Sequence, residues 1–134
     1  MSKPRKRRKK RKGHYHRGEY TSVKTGITCK YRSGWECKLM VYLDADPTVA
    51  SWTYEQTIIE YVSNIRTKKI RRYYPDFCVT YSDGHVEIIE VKPKRKLTQA
   101  TVKKKTDAAH AWCTERSITY KIVTEVELKE LGLL

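Results

Sequence analysis

Residues 73–92, YYPDFCVTYSDGHVEIIEVK, constrain this chain more than any other stretch. Residues 73–81 and 85–92 are rich in aromatic and β-branched side chains and flank Ser82-Asp83-Gly84, a turn sequence. They read as two antiparallel strands, the second stopped by Pro93. Side chains alternate between faces along a strand. Phe77, Val79, Ile89 and Val91 fall into one set, and Asp76, Glu90 and Lys92 into the other. If the apolar set packs on a neighbouring layer, two carboxylates and an ammonium converge on the opposite face. Charges held together on a sheet are costly unless they are paired or bind a cation.

The flanks supply the rest of a small α/β domain. Ser33 and Glu36 have capping-box spacing at the head of a helix over 33–47; Trp35, Leu39, Met40 and Leu43 recur along it, and Pro47 ends it. Residues 49–62 read as a strand or strand pair, and 63–72 as a basic loop or ribbon. Thr98 is placed to cap a helix reaching Glu115, with Val102, Ala108, Ala109 and Trp112 as its inner stripe. Residues 118–123 form a further short strand, and EVELKEL a last helical turn or two. The expected order is α-β-β-β-α-β-α. The second helix is long enough for a crossover, so the last strand is expected parallel to a neighbour in a mixed sheet.

The formal charge of +14 is unevenly spread. Residues 1–18 hold ten Lys or Arg and no acid, whereas the remainder holds 19 against 15 acids. A run of like charges without apolar residues is expected to be a disordered arm, leaving 19–134 as the folded domain. Arg5, Arg7, Arg8 and Arg11 in that arm suit a polyanion, because cations bound to phosphates release counterions. A nuclear-localisation signal is the rival reading, and an anionic membrane fits less well because the arm has no apolar face. Residues 13–33 read as a connector, with His14 and His16 as polar loop residues. The four cysteines form no C-x-x-C pair, which speaks against zinc; they are expected as reduced thiols in a protein that is not secreted. No apolar run approaches the roughly 18 residues of a membrane span.

Two adjacent carboxylates suit a hard divalent cation, Mg²⁺ or its substitute Mn²⁺. Such an ion activates water and stabilises a leaving oxygen, and a nearby lysine can orient that water. The plain alternative is a cross-strand salt bridge on a solvated face. Pro75, which cannot donate to a ladder, stands beside Asp76 and favours the site reading.

YPDF followed by EIIEVKPK resembles the PD-(D/E)XK nucleases, the restriction-endonuclease-like superfamily. Pro75-Asp76 matches the first element and Glu90-Val91-Lys92 the second. The resemblance implies that fold's α-β-β-β-α-β core, and its first-helix acid falls on Glu36. A longer resemblance runs over roughly residues 13–97. Tyr31-Arg32-Ser33, Trp35-Glu36, Leu43-Asp44, Trp52 with Glu55, and Tyr73 to Phe77 match, in order, the T-even type head completion nuclease family of tailed phages. Gly34 stands where that family would have a second serine. The family implies a virion-associated endonuclease cutting double-stranded DNA in virion or host cytoplasm, with phage head or portal proteins as partners. Endonucleases that cut transposon ends share the first-helix Glu, the P-D and the E-V-K-P elements, but usually carry a second, DNA-binding domain.

On these resemblances Asp76, Glu90 and Glu36 are the expected metal ligands and Lys92 the water-positioning cation. Arg32, Lys94, Arg95 and Lys96 are expected on the DNA backbone; Lys103, Lys104 and Lys105 either join them or form a solvated face. Glu55 either supports the site or pairs with a basic residue. Trp35 and Trp52 read as core, Cys78 as a small buried residue and His85 as a turn histidine. The competing functions are a non-catalytic DNA-binding or virion structural protein and, from composition alone, a basic ribosomal or chromatin-like protein. Dimers, common among the superfamily's members, remain open.

Overall fold

A computed structural model describes residues 17–134. Residues 1–16, and with them Arg5, Arg7, Arg8, Arg11, His14 and His16, lie outside the described residues. Four strands make the central sheet, in spatial order β3 (Val49–Tyr54), β6 (Phe77–Tyr81), β7 (Val86–Val91) and β8 (Thr119–Val123). β6 is antiparallel to both β3 and β7, whereas β8 runs parallel to β7. Helix α2 (Ala100–Glu115) makes the crossover between those parallel strands, as expected. With α1 (Gly34–Ala45) ahead of β3, the sheet and its helices give the α-β-β-β-α-β order of a restriction-endonuclease-like domain. A short α3 (Glu125–Glu130) closes the chain, with Thr124 and Glu127 in a reciprocal capping box.

The sheet is covered on both faces. Leu39, Met40 and Leu43 of α1 meet Val49, Trp52, Phe77, Val79, Ile89 and Val123 on one side. Ala109 and Cys113 of α2 meet Ile59, Tyr73, Ile88 and Tyr120 on the other. Each fully buried aliphatic side chain contributes roughly 2 kcal/mol. β7 therefore has no solvated face: Ile89 serves one core and Ile88 the other.

Two hairpins add to the expected order, the second of them from residues read as a strand pair and a basic loop or ribbon. β1 (Gly18–Thr21) pairs with β2 (Thr28–Tyr31) in the stretch expected as a connector, so the expected arm already ends in a strand at Gly18. β4 (Ile59–Asn64) pairs with β5 (Lys69–Tyr73) as a separate two-stranded ribbon inserted between β3 and β6. The strand expected from residue 73 thus starts at Phe77. The turn after β6 forms as expected: Gly84 takes φ +92°, open to glycine, and Asp83 accepts from the His85 N–H. His85 stacks on Tyr81 at this turn, the end of the hairpin remote from Asp76 and Glu90. Thr98 does not cap α2. The chain enters through a 3-10 turn, Lys94–Lys96, and consecutive turns up to Gln99, the residue that flanks the first helical turn.

Candidate active site

Phe77 and Ile89 form the last pair of the β6–β7 ladder on this side. One step further, Asp76 and Glu90 face each other where the strands part. The Asp76 N–H donates to Glu90 Oε2 at 3.3 Å, and the Val91 N–H donates to Asp76 Oδ2 at 2.8 Å. Both carboxylates are only 9% exposed, which rules out a solvated surface pair. Tyr73, the last residue of β5, donates its hydroxyl to Glu90 Oε2 and meets the Tyr120 hydroxyl at 3.1 Å.

Glu36 arrives from the first turn of α1. Its carboxylate does not close a capping box on the Ser33 backbone. Ser33 Oγ instead accepts from the Glu36 N–H and donates to Glu36 Oε2 at 2.7 Å, while the Tyr54 hydroxyl donates to Oε1 at 2.6 Å. Glu36 is thus buried and aimed inward by a cap residue and a core tyrosine. Glu55 follows β3 with φ 53°, a left-handed conformation that costs a non-glycine residue about 1 kcal/mol or more. Two contacts hold it there. Its N–H donates to the Asp76 carbonyl at 2.9 Å, and Arg32 grips its carboxylate through Nε at 3.1 Å and a terminal nitrogen at 3.3 Å.

Oxygen atoms of Glu36, Glu55 and Asp76 come within 4.8 Å of one another. Glu55, expected either to support the site or to pair with a basic residue, does both: it pairs with Arg32 and is in this closest set, with Glu90 beside it. The four line a groove of about 540 Å³ whose rim carries Arg32, Arg72 and Lys105. Burial and then the charges of Glu90 and Glu36 push the Asp76 carboxyl well above its ordinary range, against the Val91 N–H bond. Burial also raises Glu90, opposed by Tyr73, by the Lys92 charge and by the Asp76 N–H. Crowded, desolvated carboxylates of this kind fit a hard divalent cation, which accepts oxygen ligands and removes the mutual repulsion.

Lys92 is half-buried, two residues beyond Glu90, and its N–H extends the parallel ladder to the Val123 carbonyl at 3.0 Å. Lys94 and Arg95 are exposed on the turn that follows, with Lys96 partly covered. Arg32 is 71% exposed and points one edge of its guanidinium at Glu55. The sequence reading missed Tyr54, Tyr73 and Arg72 as site residues, and it left Lys105 between a DNA contact and a solvated face; the structure places Lys105 on the groove. Tyr73 was open to detection, since it stands two residues before Pro75-Asp76 in the YYPDF stretch. Arg72 and Lys105 come from the ribbon and α2, whose placement depends on the fold.

Residues 46–125 match the family described as TnsA-like endonuclease N terminal. The chain belongs to that endonuclease family. The matched segment contains Glu55, Asp76, Glu90 and Lys92. A longer likeness takes in α1 as well. The chain is 33% identical to the head completion nuclease of Enterobacteria phage T4, over 76% of this chain and 82% of that protein. This is a member of the head completion nuclease family. No helix of the described residues is long and apolar enough to cross a membrane.

Proposed function

We propose that this protein is a Mg²⁺-dependent endonuclease that hydrolyses phosphodiester bonds in double-stranded DNA during phage head maturation. The observation that carries the reading is the convergence of Glu36, Glu55 and Asp76, with Glu90 adjoining, in a desolvated groove rimmed by cations. Asp76, Glu90 and Glu36 hold the divalent ion in this reading, and Glu55 joins them or fixes Arg32. When bound, the ion supplies positive charge to the phosphate and acidifies water. Mn²⁺ is the natural substitute.

Lys92 holds the attacking water by hydrogen bonding and offsets charge as the water oxygen bonds to phosphorus and its proton passes to solvent. The bond from phosphorus to the leaving sugar oxygen breaks, and that oxygen takes up a proton from solvent. Arg32, Lys94, Arg95 and Lys96 bind flanking phosphates, as do Arg5, Arg7, Arg8 and Arg11 of the arm. The family likeness supports a virion setting, with phage head or portal proteins as partners. The test is a plasmid-nicking assay in Mg²⁺, in Mn²⁺ and in EDTA, with Asp76→Ala alongside. Nicking that needs both the metal and Asp76 supports the reading. A folded protein that binds DNA and never cuts it, or an Asp76→Ala variant as fast as the parent, would sink it.

A further inference from the structure

The β4–β5 ribbon is unexplained by the hydrolytic chemistry. One of its faces is anchored: Ile59, Tyr61 and Tyr73 are buried against the α2 side of the fold, and Lys104 Nζ donates to the Ser63 carbonyl at 2.9 Å. The rest stands outside the core. Ile65 at the tip is 87% exposed, and Val62 and Ile70, a cross-strand pair on the outer face, are both exposed. Around these apolar side chains the ribbon carries Arg66, Lys68, Lys69, Arg71 and Arg72 against the single acid Glu60. None of the five cations forms an ion pair among the described residues.

We infer that this ribbon is a DNA clasp: it inserts into a groove of duplex DNA and holds the duplex across the carboxylate groove. The inference rests on the endonuclease reading and adds to it the element that binds the substrate. Three features support it. The ribbon grows from the site wall, because Arg72 and Tyr73 at its base line the carboxylate groove. It is stiff at its tip, because Asn64 Oδ1 accepts from the N–H groups of Arg66 and Thr67 at 3.0 and 3.3 Å. It also has the right size and chemistry. A two-stranded ribbon fits the major groove, about 12 Å wide, and strands of this length reach roughly 20 Å. Cations on its edges meet phosphates, while exposed Ile and Val side chains contact thymine methyl groups. A protein partner would also cover the apolar side chains, but the near absence of acids matches a polyanion better.

The test compares the full chain with Arg66→Gln/Lys68→Gln/Lys69→Gln, and with Lys121→Gln/Lys129→Gln as a control on β8 and α3. Binding of a fluorescein-labelled duplex is followed by anisotropy in EDTA across a salt series, and single-turnover cleavage in Mg²⁺ at saturating protein. The ribbon variant should bind at least about tenfold more weakly and lose up to about 2.7 from the slope of log affinity against log salt, about 0.9 per phosphate contact. It should still cut at saturation, and the control pair should change affinity far less. Unchanged affinity and slope in the ribbon variant, or an equal loss per charge in the control, would overturn the clasp. Asp76→Asn separates the two readings. If the ribbon variant binds normally while Asp76→Asn abolishes cutting, the clasp fails and the nuclease stands. If the parent never cuts yet the ribbon variant loses affinity, the nuclease fails and the ribbon remains a DNA contact.

Discussion

Helix α1 presents two inward carboxylates eight residues apart, and they live in opposite surroundings. Asp44 is ringed by neutral donors: the Tyr20 hydroxyl at 2.6 Å, Ser22 Oγ at 2.7 Å, the Val23 N–H at 2.8 Å and Trp52 Nε1 at 2.8 Å. Burial pushes its carboxyl up, but those four bonds outweigh burial and leave it below the ordinary range. Glu36, at the other end of the helix, points into a space shared with three more carboxylates. There burial and like charge reinforce each other, and Asp76 and Glu90 are driven upward. One acid is a completed structural joint that ties the β1–β2 hairpin to α1 and β3. The other belongs to the crowded carboxylate set that the proposed function assigns to a divalent cation.

Mutation should separate Asp76 from Asp44 most sharply. Asp76→Ala should lower cleavage by about a thousandfold or more, the scale of several kcal/mol of lost charge stabilisation, with little change in the melting temperature. Asp44→Ala should do the reverse. It leaves Tyr20, Ser22, Trp52 and the Val23 N–H without their acceptor and should cost about 2–3 kcal/mol, a fall in melting temperature of roughly 10 °C, seen by circular dichroism. If the two variants behaved alike in both assays, the distinction would collapse.

A smaller effect separates the two regions by pH. The raised carboxyls of Asp76 and Glu90 bind protons more tightly folded than unfolded. Their contribution to stability is therefore full below the ordinary carboxylate range, near about 4, and is lost as pH rises through the folded values. In chelator, the melting temperature should fall from mildly acidic to neutral pH, and Mg²⁺ should restore it. Asp76→Asn should flatten that fall and raise the neutral-pH melting temperature in chelator by roughly 3 °C. Asp44 has the opposite sign: its depressed carboxyl adds stability above the ordinary range and loses it on acidification. The smallest effect is on Glu90. Tyr73→Phe removes a hydrogen bond that lowers its carboxyl, so the acid limb of the cleavage profile should move to higher pH.

The sheet core and the Asp76–Glu90 opposition were legible because a two-residue period and a three-residue turn act locally. The parallel return of β8 was legible from the length of α2. The two hairpins were less so. β1 and β2 are four-residue strands in a Thr- and Tyr-rich stretch without alternation, and Asp44, far along the chain, helps to hold them. Residues 63–72 were readable as a ribbon, but their place beside the site follows from packing on α2. Glu55 was hardest to place. Its left-handed backbone and its approach to Asp76 are set by the pairing of β3 with β6 and by Arg32, and no local pattern encodes either.

The most direct test of the central claim is a titration of the full chain with Mn²⁺, followed by electron paramagnetic resonance, beside Asp76→Asn and Asp44→Asn. Saturable binding is expected for the parent, loss of it in Asp76→Asn, and retention in the folded fraction of Asp44→Asn. Equal binding by the parent and Asp76→Asn, or none by the folded parent, would contradict that claim.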